Sequence, residues 1–527
     1  MNSSALLARF TRSWPLLVLL LIAAVWIYRS PYSASDLEIS PDSVEYALSA
    51  LQLVETGRCE IMVEGRGLPP RYPPWFPALV IAPAYLLFGP EPGNAILPIT
   101  LLGVAGVGLA YAIGKRISSN IGGVFAGLAL LFLPEYGRWA IQILTDVPCI
   151  SFMLGACLLY LRVRTQPESV LTYLGAGTLV AITTLFRPVY AAMLLPFLLA
   201  VLRPRRGALL RLILLLAPMV AAAAATFAYN AATFGSPFRN GYKFWVPVPM
   251  DYPAMIFSLS NVKVNLIVMS WSGVPILILV CVAALFLARR FRLSALAASR
   301  DALRRVLLFF VLTTGPILLF HLIYFFPDDR FYLPVQAGAA VLAGSMLALL
   351  AGPARETIFK VLLPAVLLFT IAARIAAREP VPHRRLAADR VRQHTPDNAV
   401  IISTIDPVYL SRLAGHGSAR RIVPLSRNVE FAWALLVRKR VDDPRISLHR
   451  WPDILPALEL IRPHAEEAVR FVASERMDEL ALEVARGTPF FFESTVVEPK
   501  DEDVVAELAT RFKLIKRAQS FYQLQPR

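Results

Sequence analysis

The run WPLLVLLLIAAVWIY (Trp14–Tyr28) follows Arg9 and Arg12, and a polar stretch leading to PDSVEY (Pro41–Tyr46) comes after it. A basic start and an apolar core resemble a secretory signal. Val25 to Tyr28 make a poor small-residue cleavage site, and many further apolar runs follow, so the run is read as an uncleaved anchor. Apolar segments of about 20 residues span a bilayer. Further spans are expected near 95–114, 121–135, 146–162, 169–186, 188–202, 208–228, 270–288, 306–326, 331–351 and 358–376, eleven with the first. Residues 75–88 carry Pro77 and Pro83 and read as a short, partly embedded, non-spanning helix.

Composition agrees with this reading. Of the 527 residues, 56% are hydrophobic and 17% charged, against roughly 25% charged in soluble domains. Of the net charge of +16, the first 380 residues carry +13. The excess lies in the loops that alternation assigns to the inside: Lys115-Arg116, Arg162 and Arg164, Arg203 to Arg206, Arg289 to Arg305, and Arg355 with Lys360. That is the positive-inside pattern. It places the N-terminus inside and residues after about 377 outside. There is no Lys/Arg stripe with interleaved aromatics, which argues against a nucleic-acid partner. The four cysteines lack metal-ligand spacing and read as small buried hydrophobes. His321 reads as a packed residue in an apolar helix, and no structural metal site is expected.

The tail, 381–527, changes character. β-like runs at Ala399–Ile405, Arg421–Leu425, Arg470–Ala473, Pro489–Phe492 and Ser520–Leu524 alternate with amphipathic stretches such as Asp501–Phe512, and Asp406-Pro407 reads as a helix start. The alternation predicts a small α/β domain. The expected fold is therefore a polytopic α-helical membrane protein: a transmembrane domain over 1–380 with an outer loop at 30–75, and a soluble extracytoplasmic domain over 381–527.

Ionisable residues near a membrane are costly, and their placement is informative. They gather at the outer ends of the spans: Asp42, Glu45, Arg71, Glu135, Arg138, Asp146, Arg187, Arg239, Lys243, Asp251 and Asp328-Asp329-Arg330. A transporter or flippase would place more of them mid-span and show a repeat. An enzyme working at the lipid–water boundary places them at one rim. Asp42 and Glu45, three apart on a helix, share a face, although acids there also suit simple capping. Asp146 opens an apolar helix, where it too can cap. In RYPPW, Arg71 to Trp75, consecutive prolines stiffen the chain and suit either an interfacial anchor or a strap aiming Arg71 or Tyr72 at a headgroup.

In this order the motifs resemble those of the GT-C class of polyprenyl-phosphate-sugar-dependent glycosyltransferases, with the protein O-mannosyltransferase and lipid A aminoarabinose transferase families nearest. Pro41-Asp42 through Tyr46-Ala47 is similar to the family's first-loop acidic motif, and Tyr72-Pro73-Pro74 to its basic-Pro-Pro element. Leu144-Thr145-Asp146 resembles the second acidic site, and Phe186-Arg187-Pro188 a recurrent Arg-Pro. Tyr229 to Tyr242 resembles the outer loop, and Arg330-Phe331-Tyr332-Leu333-Pro334 the late Arg-Tyr-Leu-Pro motif. Two departures stand out: Ser43 replaces the second acid of the first motif, and Tyr72 replaces the basic residue before Pro-Pro.

The resemblance implies inverting transfer of a sugar from an undecaprenyl- or dolichyl-phosphate carrier to an extracytoplasmic hydroxyl, in a bacterial inner or other plasma membrane. Asp42 is the expected base, with Asp146 and Glu45 as further catalytic candidates. Arg71, Tyr72, Arg187, Lys243 and Arg330 are the candidates for the donor phosphate, because guanidinium forks match phosphate geometry. No cofactor is expected. The acids are oxygen ligands of the type a divalent ion uses, but their spacing alone makes no site. A lipid-diphosphate-dependent oligosaccharide ligase or polymerase shares the rim charges and is the other enzymatic alternative.

Overall fold

In a bilayer a helix satisfies its own backbone hydrogen bonds, so apolar runs become helices. The computed structural model describes residues 3–28, 41–63, 66–90, 92–166, 169–202, 207–245, 250, 253–272, 274–275, 282, 294–350, 355–376, 383–403, 420–424, 476–493, 508–519 and 521–527. Two units are distinguished. One comprises Met1–Arg29, Ala95–Phe238 and Phe257–Glu379; the other Ser30–Asn94, Arg239–Ile256 and Pro380–Arg527.

In the first unit, Gly93–Ile117, Asp146–Val163, Ala208–Phe234, Arg300–Leu322 and Asp329–Leu349 are long and apolar enough to cross a membrane. Trp14–Ile27, Asn120–Leu131, Val170–Phe186, Pro188–Val201 and Val361–Ala373 are shorter apolar helices. Each lies on a run read as a span. Most of the remaining run, 270–288, lies outside the described residues, as do Cys281 and Asp251.

The helix Ile96–Ile117 packs against Ser3–Ile27, Asn120–Leu131 and Asp146–Thr165, and Val170–Phe186 packs against Asp146–Thr165 and Ala208–Phe234. Most of Asp329–Leu349 is buried, whereas Ala208–Phe234 is largely exposed. The latter exposes Leu209, Leu210, Ile213 and Val220, a surface suited to lipid rather than water. Small residues set the closest crossings, as expected where van der Waals contact drives helix association. A Cβ on Gly114 would lie 2.5 Å from the Gly122 carbonyl oxygen, and one on Gly344 would lie 2.5 Å from that of Phe125.

In the second unit, the helix Pro41–Thr56 is followed by a hairpin, β1 (Ile61–Val63) with β2 (Arg66–Leu68). Residues Pro77–Ile81 form a π-helical turn that runs into the helix Ala82–Phe88, which exposes Leu86, Leu87 and Phe88. The tail contributes β3 (Val400–Ser403), β4 (Arg421–Pro424), β5 (Phe490–Glu493), β6 (Phe512–Ala518) and β7 (Phe521–Pro526). Their order is β4-β3-β5-β7-β6, parallel across β4-β3-β5 and antiparallel across β5-β7-β6. Val400, Ile402, Phe490, Phe492, Phe512 and Leu524 are buried together with Val484 and Leu508.

Four of the five β-like runs coincide with strands. Arg470–Ala473 and Asp406-Pro407 lie outside the described residues. The strand Phe512–Ala518 lies on no run read as β-like, and only Phe512 belongs to the amphipathic stretch Asp501–Phe512. Lys513, Lys516 and Arg517 hide an alternation in which Phe512 is buried and Leu514 packs on the core.

Gly344→Val is expected to lower the thermal midpoint in detergent, consistent with overpacking costs of about 1–3 kcal/mol. A Cβ on Gly315, in the helix Ser294–Leu322, meets nothing within 4 Å, so Gly315→Ala is expected to leave the midpoint unchanged or higher. Equal midpoints for Gly344→Val and wild type would show that this crossing does not hold the bundle.

Candidate active site

In the second unit the site is built on the first turn of Pro41–Thr56. Asp42 lies there, where the helix dipole favours an anion. Glu45 follows one turn later on the same side. Arg71 meets both: its Nε donates to Glu45 Oε2 at 2.9 Å and its Nη2 to Asp42 Oδ1 at 3.3 Å. The side chains of Arg71, Glu45 and Asp42 are 9%, 10% and 16% exposed.

Prolines on both sides restrict the segment that carries Arg71, and Gly241 abuts it. A Cβ on Gly241 would lie 2.5 Å from the Arg71 carbonyl oxygen. The helix Gly241–Trp245 brings Tyr242 edge-on to Tyr72 at 5.2 Å. Tyr72 in turn contacts Tyr46 at 4.5 Å, and Tyr46 meets Phe76 at 4.9 Å. The Arg71 guanidinium lies 5.3 Å from the Tyr72 ring centre. Lys243 follows Tyr242, and its backbone N–H donates to Asn240 Oδ1 at 3.1 Å.

Two carboxylates share one guanidinium here. Burial pushes the Glu45 carboxyl up to about 7; Arg71 opposes the shift and Asp42 adds to it. Burial also works against the charge on Arg71, but the facing carboxylates of Glu45 and Asp42 offset it and hold Arg71 protonated. Burial and the Asp42 charge raise Tyr72 well above the phenol range, so it remains neutral.

In the first unit, Asp146 opens the helix Asp146–Thr165 and is 3% exposed. Arg187 ends the helix Val170–Phe186 in extended backbone, φ −145° and ψ 106°, which turns its side chain away from the helical path. Its Nη2 donates to Asp146 Oδ2 at 2.7 Å and its Nε to Thr145 Oγ1 at 2.8 Å. Arg330 lies on the 3₁₀ turn Asp329–Tyr332. Its Nε is 2.9 Å from Asp328 Oδ2, and its backbone N–H donates to Asp328 Oδ1 at 3.1 Å. Both guanidiniums lie over Phe331, at 5.5 Å for Arg187 and 5.4 Å for Arg330, and Arg330 is 5.9 Å from the Trp139 ring centre.

Burial pushes the Asp328 carboxyl up to about 6; Arg330 opposes the shift and Asp146 adds to it. His321 is buried, stacks on Phe331 at 4.5 Å, and has Nδ1 2.8 Å from the Ile317 carbonyl oxygen.

Asp42, Glu45, Arg71 and Tyr72 are thus gathered in one constellation, and Asp146, Arg187 and Arg330 in another. Sequence reading does not single out Trp139, and it reads Thr145 only as part of the Leu144-Thr145-Asp146 motif. The only signal for Trp139 is adjacency to the charged candidate Arg138. Among the described residues, no group of three or more His, Cys, Asp or Glu could hold a metal ion. Asp42 and Glu45 do not fit one as they stand, because the cation between them is Arg71.

Residues 72–230 match the model of a family described as dolichyl-phosphate-mannose-protein mannosyltransferase. The fold is similar to that of ArnT from Cupriavidus metallidurans in the apo state, with a TM-score of 0.57 and 15% identity over 97% of each chain. The same protein bound to undecaprenyl phosphate gives 0.57 and 15%, over 97% of this chain and 98% of that one. AglB from Archaeoglobus fulgidus, in complex with an inhibitory peptide and a dolichol-phosphate, gives 0.50 and 12%, over 98% of this chain and 75% of that one. No curated protein sequence is matched. The fold is that of the GT-C glycosyltransferases. Within that class the chain is similar to ArnT over nearly its whole length.

The Glu45 shift gives a signed expectation. The folded chain holds a proton on Glu45 up to about 7, whereas an unperturbed glutamate releases it near 4.5. The native state therefore binds more protons between those values, and stability falls as pH rises through that window. Relative to Glu45→Gln, the thermal midpoint of the wild type is expected to fall between about pH 4.5 and pH 7 and to level off above. A constant difference across the window would show that Glu45 ionises normally.

Proposed function

We propose that the protein is an integral-membrane glycosyltransferase that moves a hexosyl or pentosyl unit from a polyprenyl-phosphate carrier to an extracytoplasmic hydroxyl. The observation that carries this reading is the Asp42–Arg71–Glu45 arrangement on the helix after the first apolar helix, in a chain that shares the ArnT fold over 97% of its length. The family match and the undecaprenyl phosphate bound to ArnT support the class of donor.

Asp42 is the proposed base. It is the more open carboxylate of its pair and the less tightly held, 3.3 Å from Arg71 against 2.9 Å for Glu45. As the acceptor oxygen attacks the anomeric carbon, its proton passes to Asp42. The bond from that carbon to the phosphate oxygen breaks, and polyprenyl phosphate leaves with the electron pair. One displacement inverts the centre.

Arg71 and Glu45 position Asp42. Arg187 and Arg330 are proposed to take the phosphate, where cations stabilise the charge that grows on the leaving oxygen. Asp146 and Thr145 hold Arg187 in place. Tyr72 and Lys243 are proposed on the donor side. The full arrangement is eleven spans in a plasma membrane, with the N-terminus cytoplasmic, a catalytic domain over 1–380 and an extracytoplasmic domain over 381–527.

The test is Asp42→Asn in purified, lipid-reconstituted protein, supplied with polyprenyl-monophosphate and polyprenyl-diphosphate sugars. Loss of at least about 10²-fold in transfer from a monophosphate donor, with the fold intact, is expected of a missing general base. Wild-type rates in the variant would reduce Asp42 to a helix cap. Turnover of diphosphate donors alone would favour a ligase or polymerase.

A further inference from the structure

We propose that Asp328 is an internal anion that occupies Arg330 until the donor phosphate takes its place, and so acts as the positioning residue that sets donor affinity. This rests on Arg330 being a phosphate ligand, as proposed above.

The two arginines are held in different ways. Arg187 is fixed by Asp146 and Thr145, which belong to another helix start, at 2.7 and 2.8 Å. Arg330 is folded back onto its own turn. One Asp328 oxygen takes its backbone N–H at 3.1 Å and the other faces its guanidinium at 2.9 Å.

With both acids ionised, Asp146, Asp328, Arg187 and Arg330 sum to zero, so a phosphodiester monoanion meets arginines that are already neutralised. It binds well only if one carboxylate yields. Asp146 is 3% exposed at its side chain and Asp328 19%. Burial also brings Asp328 within reach of protonation, at about 6.

The groups acting on Asp328 are Arg330 and Asp329 on its own turn, Asp146 on the helix Asp146–Thr165, and Tyr332. Arg187 acts on Arg330 in turn. The other elements packed against the turn carry Glu135, Arg138, Lys263 and His321.

Asp328→Asn separates charge from structure, because asparagine caps a turn as well as aspartate does. Asp328→Ser is a second neutral cap. The probe is undecaprenyl methyl phosphate, a sugarless phosphodiester whose single charge is constant over the range, titrated into lipid nanodiscs containing the full chain. In the wild type, Kd is expected to rise by up to about tenfold per pH unit above the Asp328 value, between about pH 6 and pH 8.

Both neutral caps are expected to flatten the slope and bind at least about tenfold tighter at the alkaline end. Asp329→Asn, whose partner is the exposed Arg138, is expected to keep the wild-type slope. Wild-type affinity and slope in both neutral caps, or weaker binding by both, would overturn the proposal. Arg330→Gln separates the two levels. If it binds like wild type, the phosphate reading falls and this proposal with it. If it loses binding while the neutral caps behave as wild type, only the role of Asp328 falls.

Discussion

An arginine taken out of water keeps its proton, so a fold that buries one must supply an anion. Arg71, Arg187 and Arg330 have side chains 9%, 19% and 10% exposed, and each meets a carboxylate at 2.9, 2.7 and 2.9 Å. Breaking a buried pair by removing one partner costs about 3–5 kcal/mol. Much of the local backbone is therefore committed to keeping the pairs closed. The extended residue at Arg187 turns its side chain toward Thr145 and Asp146. The 3₁₀ turn at Asp329–Tyr332 lets Asp328 meet both the amide and the guanidinium of Arg330. Gly241 admits a neighbouring helix against the backbone of Arg71.

The pairs hold their geometry because the elements behind them are stiff. The helix that starts at Asp146 is tied to Ile96–Ile117 by Ser151, whose hydroxyl donates to the Leu102 carbonyl at 2.6 Å. Tyr136 donates to the next carbonyl, Gly103, at 2.7 Å. Both bonds end on backbone acceptors of an apolar helix, where an unpaired hydroxyl would be expensive. Side chains on rigid helix ends keep catalytic geometry better than side chains on loops.

That charged side chains gather at the ends of apolar runs was legible in the sequence. Asp146, Arg187 and Arg330 stand out because each interrupts hydrophobic sequence at one end of an apolar helix, whereas Asp42 lies in a polar stretch and is marked by its spacing from Glu45. Which acid holds which arginine was not legible. Arg71 pairs across 26 and 29 residues, and Arg187 across 41; no local pattern encodes such separations. A guanidinium presents the same fork to a carboxylate and to a phosphate, so the sequence reads Arg71 as a phosphate ligand where the fold sets it against Glu45 and Asp42. Asp328 is the opposite case. Two residues from Arg330, it is one of the two neighbouring acids, with Asp329, that adjacency suggests. The strand at Phe512–Ala518 escaped because its exposed face is lysine and arginine, which blurs the alternation that marks its neighbours.

Counting charges separates the two constellations more sharply than residue types do. One has two acids and one arginine. Burial there keeps a proton on Glu45 up to about 7, and that proton removes the competition for Arg71 that would otherwise crowd the pair. Asp42 then faces Arg71 one to one, a carboxylate oriented by a single guanidinium nitrogen at 3.3 Å. The other constellation has two acids and two arginines over the faces of Phe331 and Trp139. A balanced set of that kind can trade an internal anion for an external one without burying a net charge, because burial already brings Asp328 within reach of a proton, at about 6. The proposed proton transfer therefore draws on the cluster whose second acid holds a proton, and the proposed anion exchange on the one with two ion pairs, although aspartate and arginine face each other in both.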